Sequence, residues 1–349
     1  MKKLLFIASA IALTACGASK DTANNEHKND TNIDYAAKYA KTITAKDLGK
    51  HLFVYASDEF EGRDTGEPGQ KKAVNYLRDF YKNEGIISPL GNNSYFQKVP
   101  SEYLSNNRRG MKLKDSENVV AFIEGTEKPE EILVISAHLD HEGVKNGKIY
   151  NGADDDGSGT VAILEIAEAF KQAYNEGKKP KRSILFLHVT GEEKGLLGSK
   201  YYTENPIFPL ANTVTNLNID MIGRVDDRHK GNPNYVYLIG ADKLSTELHN
   251  ISEAINKKYT NVALDYKYND ENDPNRYYYR SDHYNFAKNN IPVIFYFNGT
   301  HDDYHQPTDT PDKINYEMLE NRTRLVFHTA WELANRDNRV IVDKGEKAK

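Results

Sequence analysis

The sequence predicts an α/β fold, a three-layer α/β/α sandwich around a mixed, mostly parallel central sheet. Two observations carry this. Short apolar runs of strand length alternate with longer amphipathic stretches over most of the chain, the pattern of consecutive strand–helix–strand units. Histidines and carboxylates recur just beyond those apolar runs, at the edge where open α/β sheets build their sites.

The first residues read as a leader outside the fold. Lys2 and Lys3 precede an apolar run, residues 4–13, that is too short to span a bilayer as a stable helix. Residues 1–15 are read as a secretory signal peptide. Leu13-Thr14-Ala15-Cys16 resembles the lipobox of bacterial lipoproteins, which implies a lipid on Cys16 as the first mature residue. The expected location is therefore the bacterial cell envelope, lipid-anchored and extracytoplasmic, on the periplasmic side or the cell surface. Cys16 is the only cysteine, so a metal site must use nitrogen and oxygen donors. Residues 16–32 are polar and aperiodic, a flexible tether. Residues 33–349 are of a length that suits a single domain, expected to be monomeric. The net charge of −5 argues against nucleic acid as a partner.

The elements follow in order. Residues 45–57 and 69–83 place Leu48, Leu52, Tyr55 and Ala73, Val74, Leu77, Phe80 at helical spacing; Pro68 starts the second helix and Gly85 stops it. Residues 90–114 are polar and irregular, with room for an edge hairpin. Residues 118–123 and 131–137 read as neighbouring strands. A helix over 159–172 turns Val161, Leu164, Ile166, Ala167 and Phe170 inward. Further strands are expected at 183–189, 213–219, 235–239 and 293–297. Further helices are expected at 196–203, 244–259, 281–288 and 316–334.

This register sets the chemistry on one edge. His138 and Asp140 fall at the end of one strand, Glu192 and Glu193 past another, Asp220 past a third and His305 past the last; Asp155 opens a helix. A lone histidine after a strand is ordinarily a loop residue, and a lone aspartate before a helix an N-cap. Five donors converging on one edge point instead to two Zn2+ ions per chain, sharing one carboxylate. One ion is assigned His138, Asp155 and Asp220; the other Asp155, Glu193 and His305. Adjacent residues past a strand end diverge, which leaves Glu192 free as the general base. Asp140 is expected to orient His138 and Asp309 to orient His305. Tyr304 is placed to donate its hydroxyl to the developing oxyanion. Tyr277 to Tyr279 and Arg280 to His283 are expected to line the substrate side.

The ordered set His138-x-Asp140, Asp154-Asp155-Asp156-Gly157-Ser158-Gly159, Glu192-Glu193, Asp220 and His305 closely resembles the co-catalytic di-zinc aminopeptidases. These include secreted bacterial leucyl-type enzymes and have glutaminyl cyclases as relatives. Gly62-Arg63-Asp64-Thr65-Gly66 and Ser281-Asp282-His283 also look like family segments. The resemblance implies a phosphorylase/hydrolase-like fold, Asp155 as the bridge, Glu192 as the base, and a cis Asp155–Asp156 peptide. The activity it implies is removal of N-terminal residues from peptides with a free N-terminus. Three alternatives stay open: a glutaminyl-peptide cyclase, another zinc exopeptidase such as a carboxypeptidase or dipeptidase with Arg280 or Arg224 holding a carboxylate, and a catalytically dead binding protein.

Overall fold

The computed structural model describes residues 33–91 and 94–344; the leader, Cys16 and the tether lie outside them. Its strands are β1 (Phe96–Val99), β2 (Ser116–Ile123), β3 (Lys128–His138), β4 (Gly143–Lys145), β5 (Lys148–Tyr150), β6 (Arg182–Val189), β7 (Thr213–Ile219), β8 (Tyr235–Ile239), β9 (Ala263–Asp265) and β10 (Val293–Phe297). Its helices are α1 (Tyr35–Ala40), α2 (Ala45–Tyr55), α3 (Pro68–Asn83), α4 (Ser101–Ser105), α5 (Gly159–Asn175), α6 (Leu197–Glu204), α7 (Thr246–Tyr259), α8 (His283–Ala287) and α9 (Tyr316–Asn335).

Eight strands form one sheet in the order β1-β2-β6-β3-β7-β10-β8-β9, and β4 with β5 makes a small hairpin. The central run β6, β3, β7 and β10 is parallel; β1, β2 and β8 join antiparallel. β3 shows why the apolar runs are continuous. Leu133, Ile135 and Ala137 pack into the cluster that holds α2, α3, α5 and α9. Ile132 and Val134 pack on the opposite face with Phe286, from α8, and Tyr202, from α6. A central parallel strand is covered on both faces, so alternate positions are all apolar. This is the predicted sandwich.

Two local expectations differ from the structure. The strands at 118–123 and 131–137 are not neighbours, because β6 lies between them. All eight residues of β6 are buried, as befits a strand with a partner on each edge. Among the described residues of 90–114 there is no self-contained hairpin: β1 pairs antiparallel with β2, Gln97 opposite Asn118, and α4 follows.

Helix starts follow their caps. Thr44 accepts from the Asp47 amide at 3.1 Å, Ser245 from Leu248 at 3.0 Å and Asn315 from Met318 at 3.1 Å, each satisfying an otherwise orphaned donor. Ser245 therefore sets the start of α7 two residues later than its apolar pattern suggests. Among the described residues, no helix is long and apolar enough to cross a membrane.

The parallel strands end together. His138 closes β3, and Val189, Ile219 and Phe297 close β6, β7 and β10, which gathers the candidate residues on one edge.

Behind that edge, Glu165 of α5 is buried, and its Oε1 lies 3.7 Å from His51 Nε2 without a hydrogen bond. Burial, helped by Glu168 and Asp47, raises its pKa from an ordinary 4.5 to about 8. The folded state holds this proton more tightly than the unfolded chain. Its stabilising effect is complete below pH 4.5 and is lost as pH rises towards 8. Glu165→Gln should therefore raise the melting temperature relative to the parent at pH 8.5 and by less, or not at all, at pH 5. An equal shift at both values would refute the assignment.

Candidate metal centre

The site grows from the turn between β5 and α5. Gly152 begins it with φ 54°, and a Cβ there would lie 2.2 Å from the Asp155 carbonyl and 2.5 Å from the His141 ring. Only glycine fits that approach. The next three acids then divide their work. Asp154 accepts from the Gly223 amide at 2.6 Å and from Asn298 and His301 at 3.0 and 3.1 Å. Asp156 accepts from the amides of Gly159, Met221 and His138 at 2.9, 3.1 and 3.2 Å. Both are spent on backbone and loop. Asp155 alone faces the strand edge, and the Asp155–Asp156 peptide is cis.

Each Asp155 oxygen faces a different donor set. Oδ1 is 3.1 Å from His138 Nε2, which is 3.6 Å from Asp220 Oδ1. Oδ2 is 3.0 Å from His305 Nε2, which is 3.4 Å from Glu193 Oε2. Ligand atoms around a tetrahedral ion with bonds of about 2.0–2.1 Å stand roughly 3.3 Å apart, so both spacings fit.

His141 is the residue the sequence reading missed. It is fully buried, with Nδ1 2.9 Å from Glu193 Oε1 and 3.7 Å from Asp155 Oδ2. His141, Asp155 and Glu193 form one potential metal-holding group, as do His138, Asp155 and Asp220. Its signal was its place in the His138-Leu139-Asp140-His141 run, three residues from a predicted ligand and opposite Gly152.

The donor atoms need a cation. His138 Nε2, His141 Nδ1, Asp155 Oδ2 and Glu193 Oε1 are buried without a hydrogen-bond partner, an arrangement that is costly unless something else satisfies them. Burial opposes charge on His305, yet Asp155 and Glu193 raise it to about 10. Burial also opposes an ionised Glu193, but His141 and His305 hold it down at about 2. The carboxylates stay ionised by drawing positive charge from the imidazoles, the role a pair of divalent ions would fill. The donor set therefore fits Zn2+.

The supporting contacts correct two expectations. The Asp140 carboxylate does not bond to His138; its Oδ1 is 3.9 Å from His138 Nδ1, which donates to the Asp140 main-chain carbonyl at 3.0 Å. The carboxylate accepts instead from the Glu192 amide at 3.1 Å and the Thr65 hydroxyl at 2.7 Å. Asp140 thus positions Glu192 rather than His138. Asp309 likewise does not reach His305. It accepts from the amides of Asp154 and Asp155 at 3.0 and 3.2 Å, fixing the bridging residue from behind.

Two family-like segments take supporting roles, one of them in place of the substrate side expected for Ser281 to His283. Arg63, fully buried, donates to the carbonyls of Tyr55, Leu139, Asn151 and Gly152 at 2.7–3.2 Å, tying the His138 loop to the Asp155 turn. Ser281 lies beneath the site and donates to Asp220 Oδ2 at 2.6 Å. Asn218 holds that hydroxyl at 2.9 Å, and Ser136 in turn holds Asn218. Asp282 and His283 are buried behind it, so of this segment only Tyr277 and Arg280 line the cavity.

That cavity is bounded by Asp155, Glu192, Asp220, Tyr304 and His305 on the polar side and by Met221, Tyr277, Phe295 and Phe297 on the apolar side. Burial, with Glu193, Asp220 and Asp282 nearby, pushes the Glu192 carboxyl well above its usual range. Tyr304 stacks on His305 with ring centroids 4.0 Å apart, and burial and the carboxylates keep its phenol protonated. His305 and Met221 hold left-handed backbones, φ 54° and 62°, a strain that packed surroundings must impose.

Comparison with known proteins identifies the family. The model of peptidase family M28 matches residues 118–330, and the chain belongs to that family. Leupeptin-inactivating enzyme 1 of Streptomyces exfoliatus is 26% identical over 303 residues, covering 81% of this chain and 59% of that enzyme. The chain thus spans less than two thirds of this relative's length. Among solved structures, the LapA aminopeptidase of Legionella pneumophila is 22% identical with a TM-score of 0.64, covering 86% of this chain and 75% of that one. BSAP, a zinc aminopeptidase from Bacillus subtilis, is 15% identical with a TM-score of 0.63, covering 86% and 98%. These two likenesses support the α/β fold.

Removing the hydroxyl that orients Asp220 should loosen the first donor set. Ser281→Ala is expected to weaken Zn2+ binding by about tenfold or more, measured by chelator competition. Unchanged affinity would show that Asp220 needs no such support.

Proposed function

We propose that the chain is a zinc-dependent exopeptidase that removes N-terminal residues from peptides. The observation that carries this is Asp155, which offers one oxygen to each of two donor sets while Glu192 stands free beside them. The first set is His138 and Asp220, the second Glu193 and His305, with His141 as a further nitrogen donor. Two bound Zn2+ ions would lower the pKa of the attacking water and polarise the scissile carbonyl.

The chain's own groups do the rest. Asp140 holds the Glu192 amide, so the Glu192 carboxylate is fixed on the cavity wall. It takes a proton from water as the C–O bond forms, then delivers it to the leaving nitrogen as the C–N bond breaks. Tyr304, protonated and beside His305, donates to the carbonyl oxygen as negative charge develops. Met221, Tyr277, Phe295 and Phe297 receive an apolar N-terminal side chain.

Two other readings meet specific obstacles. A cyclase that works with one ion has no use for the second group of His141, Asp155 and Glu193. For a carboxypeptidase, Arg224 is already engaged, with Nη2 2.7 Å from Asp303, which leaves Arg280, stacked over Tyr277 on the cavity wall, as the single cation for a terminal carboxylate. Lipid attachment at Cys16 remains our reading of the leader, and would tether this activity to the envelope.

Hydrolysis of leucyl anilides should be abolished by a chelator, restored by Zn2+ and absent for N-acetylated substrates. Turnover that survives metal removal, or is indifferent to N-acetylation, would refute the reading. Glu192→Gln should keep both ions and lose about 10²–10⁴-fold in kcat; near-normal turnover would remove it as the base. His141→Ala should weaken the binding of one Zn2+ and leave the other, read by metal titration; two unaltered binding constants would restrict His141 to packing.

A further inference from the structure

Beside the metal centre runs a groove of about 460 Å³. Its walls continue those of the cavity. Lys194 to Leu197 follow directly on Glu192 and Glu193, and Tyr279 adjoins Arg280. Five cationic residues line it, Arg108, Arg109, Lys194, Lys200 and Lys288, and among the described residues no carboxylate does. In a chain of net charge −5 this is a local reversal of sign.

The positive charge is only partly compensated. Lys194 pairs with Asp64 at 2.7 Å, while Lys200 stands 3.9 Å from Glu204. Arg109 Nη1 donates to the Glu193 carbonyl at 3.0 Å, which joins the groove to the metal centre. Among the described residues, Arg108 and Lys288 have no carboxylate within 4.0 Å. Partial burial lowers the Lys288 pKa; Glu204 opposes this and Lys200, a like charge, adds to it. Cations crowded on one groove with too few anions leave a positive potential that an anionic ligand relieves.

We propose that this groove receives the part of the substrate beyond the scissile bond and selects peptides carrying carboxylates there. The proposal rests on the aminopeptidase reading. The apolar cavity takes the N-terminal side chain, so the rest of the peptide leaves along the other wall, past Glu193 and Arg109 and between Lys200 and Lys288. The carboxylate is either an acidic side chain at the second or third position or the free C-terminus of a short peptide.

The test uses the zinc-loaded full chain and four tripeptides with N-terminal leucine. They carry neutral, acidic or basic second and third residues as C-terminal amides, and neutral ones with a free C-terminus. The acidic amide should exceed the neutral amide about five- to tenfold in kcat/KM, mostly through KM, and the gap should shrink as salt rises. The free-acid peptide, compared with its amide, separates the terminal carboxylate from side chains. Arg108→Glu with Lys288→Glu should bring the acidic-to-neutral ratio to one or below.

Binding of the same peptides to Glu192→Gln, read by calorimetry, gives the preference without turnover. A ratio near one in both measurements, or a ratio that survives the double charge reversal, overturns the groove proposal. Cleavage of the neutral amide without any charge preference leaves the aminopeptidase reading standing and removes only the groove. Charge-selective binding with no cleavage of any peptide does the opposite.

Discussion

The site depends on one carboxylate held between two donor sets. Asp155 can serve both only if its backbone is fixed, because a rotation that favours one oxygen withdraws the other. The surrounding sequence supplies that fixation from several directions. Asp309 takes the Asp154 and Asp155 amides. Asp154 and Asp156 are turned away into the loops after β7 and β10 and the start of α5. Gly152 gives the room in which His141 and the Asp155 carbonyl meet. Three consecutive acids would repel one another if all faced one point. Here only one does, and the other two are neutralised by amide and imidazole donors.

The electrostatic cost of this design falls on the fold. Fully or largely buried His138, His141, Asp155, Glu193 and Asp220 crowd one sheet edge, where a low dielectric magnifies every uncompensated charge. The protein does not meet that cost with an internal ion pair. Arg63, fully buried behind the site, is saturated by four carbonyls and serves to lock two loops. The carboxylates are left to draw charge from imidazoles, and several donor atoms stay unpartnered. Such a site is unstable as a set of hydrogen bonds and stable as a set of ligands.

How much of this was legible follows from what the sequence encodes locally. Hydrophobic periodicity located strands such as Thr213–Ile219, Tyr235–Ile239 and Val293–Phe297 to the residue, because each is a short apolar run bounded by polar turns. Strand order was not legible: nothing in an apolar octet says that β6 separates β2 from β3. Three of the five expected donors, His138, Glu193 and Asp220, lie at or just past strand ends that periodicity fixes, and Asp155, in the turn before α5, and His305, in the loop after β10, come to the same edge. Supporting contacts escaped for the opposite reason. Asp140 lies two residues from His138, a spacing that puts both side chains on one face of an extended chain, but β3 ends at His138, and the partner of the Asp140 carboxylate proves to be an amide 52 residues away. His141 escaped because residues just past a strand curl in ways that only the turn at Gly152 determines. Ser281 and Asp309 act through contacts of long sequence separation, 61 residues to Asp220 and more than 150 to the Asp155 turn, which no local pattern carries.

The same two segments that build the metal centre also shape what reaches it. The chain after β6 carries Glu192 and Glu193 into the site and Lys194 and Lys200 out of it; the segment before α8 carries Tyr277 into the apolar wall and Ser281 beneath Asp220. Negative charge is thus concentrated at the ligands and positive charge immediately beyond them. On the proposed reading, an incoming peptide would set its N-terminus at the ligand edge and its carboxylates against the cations. The cations would then favour one direction of entry, because a peptide entering backwards would set its ammonium against them. A fixed Asp155 thus sets the donor geometry, and on the proposed reading the cations of the flanking segment would set the direction in which the chain of a substrate lies.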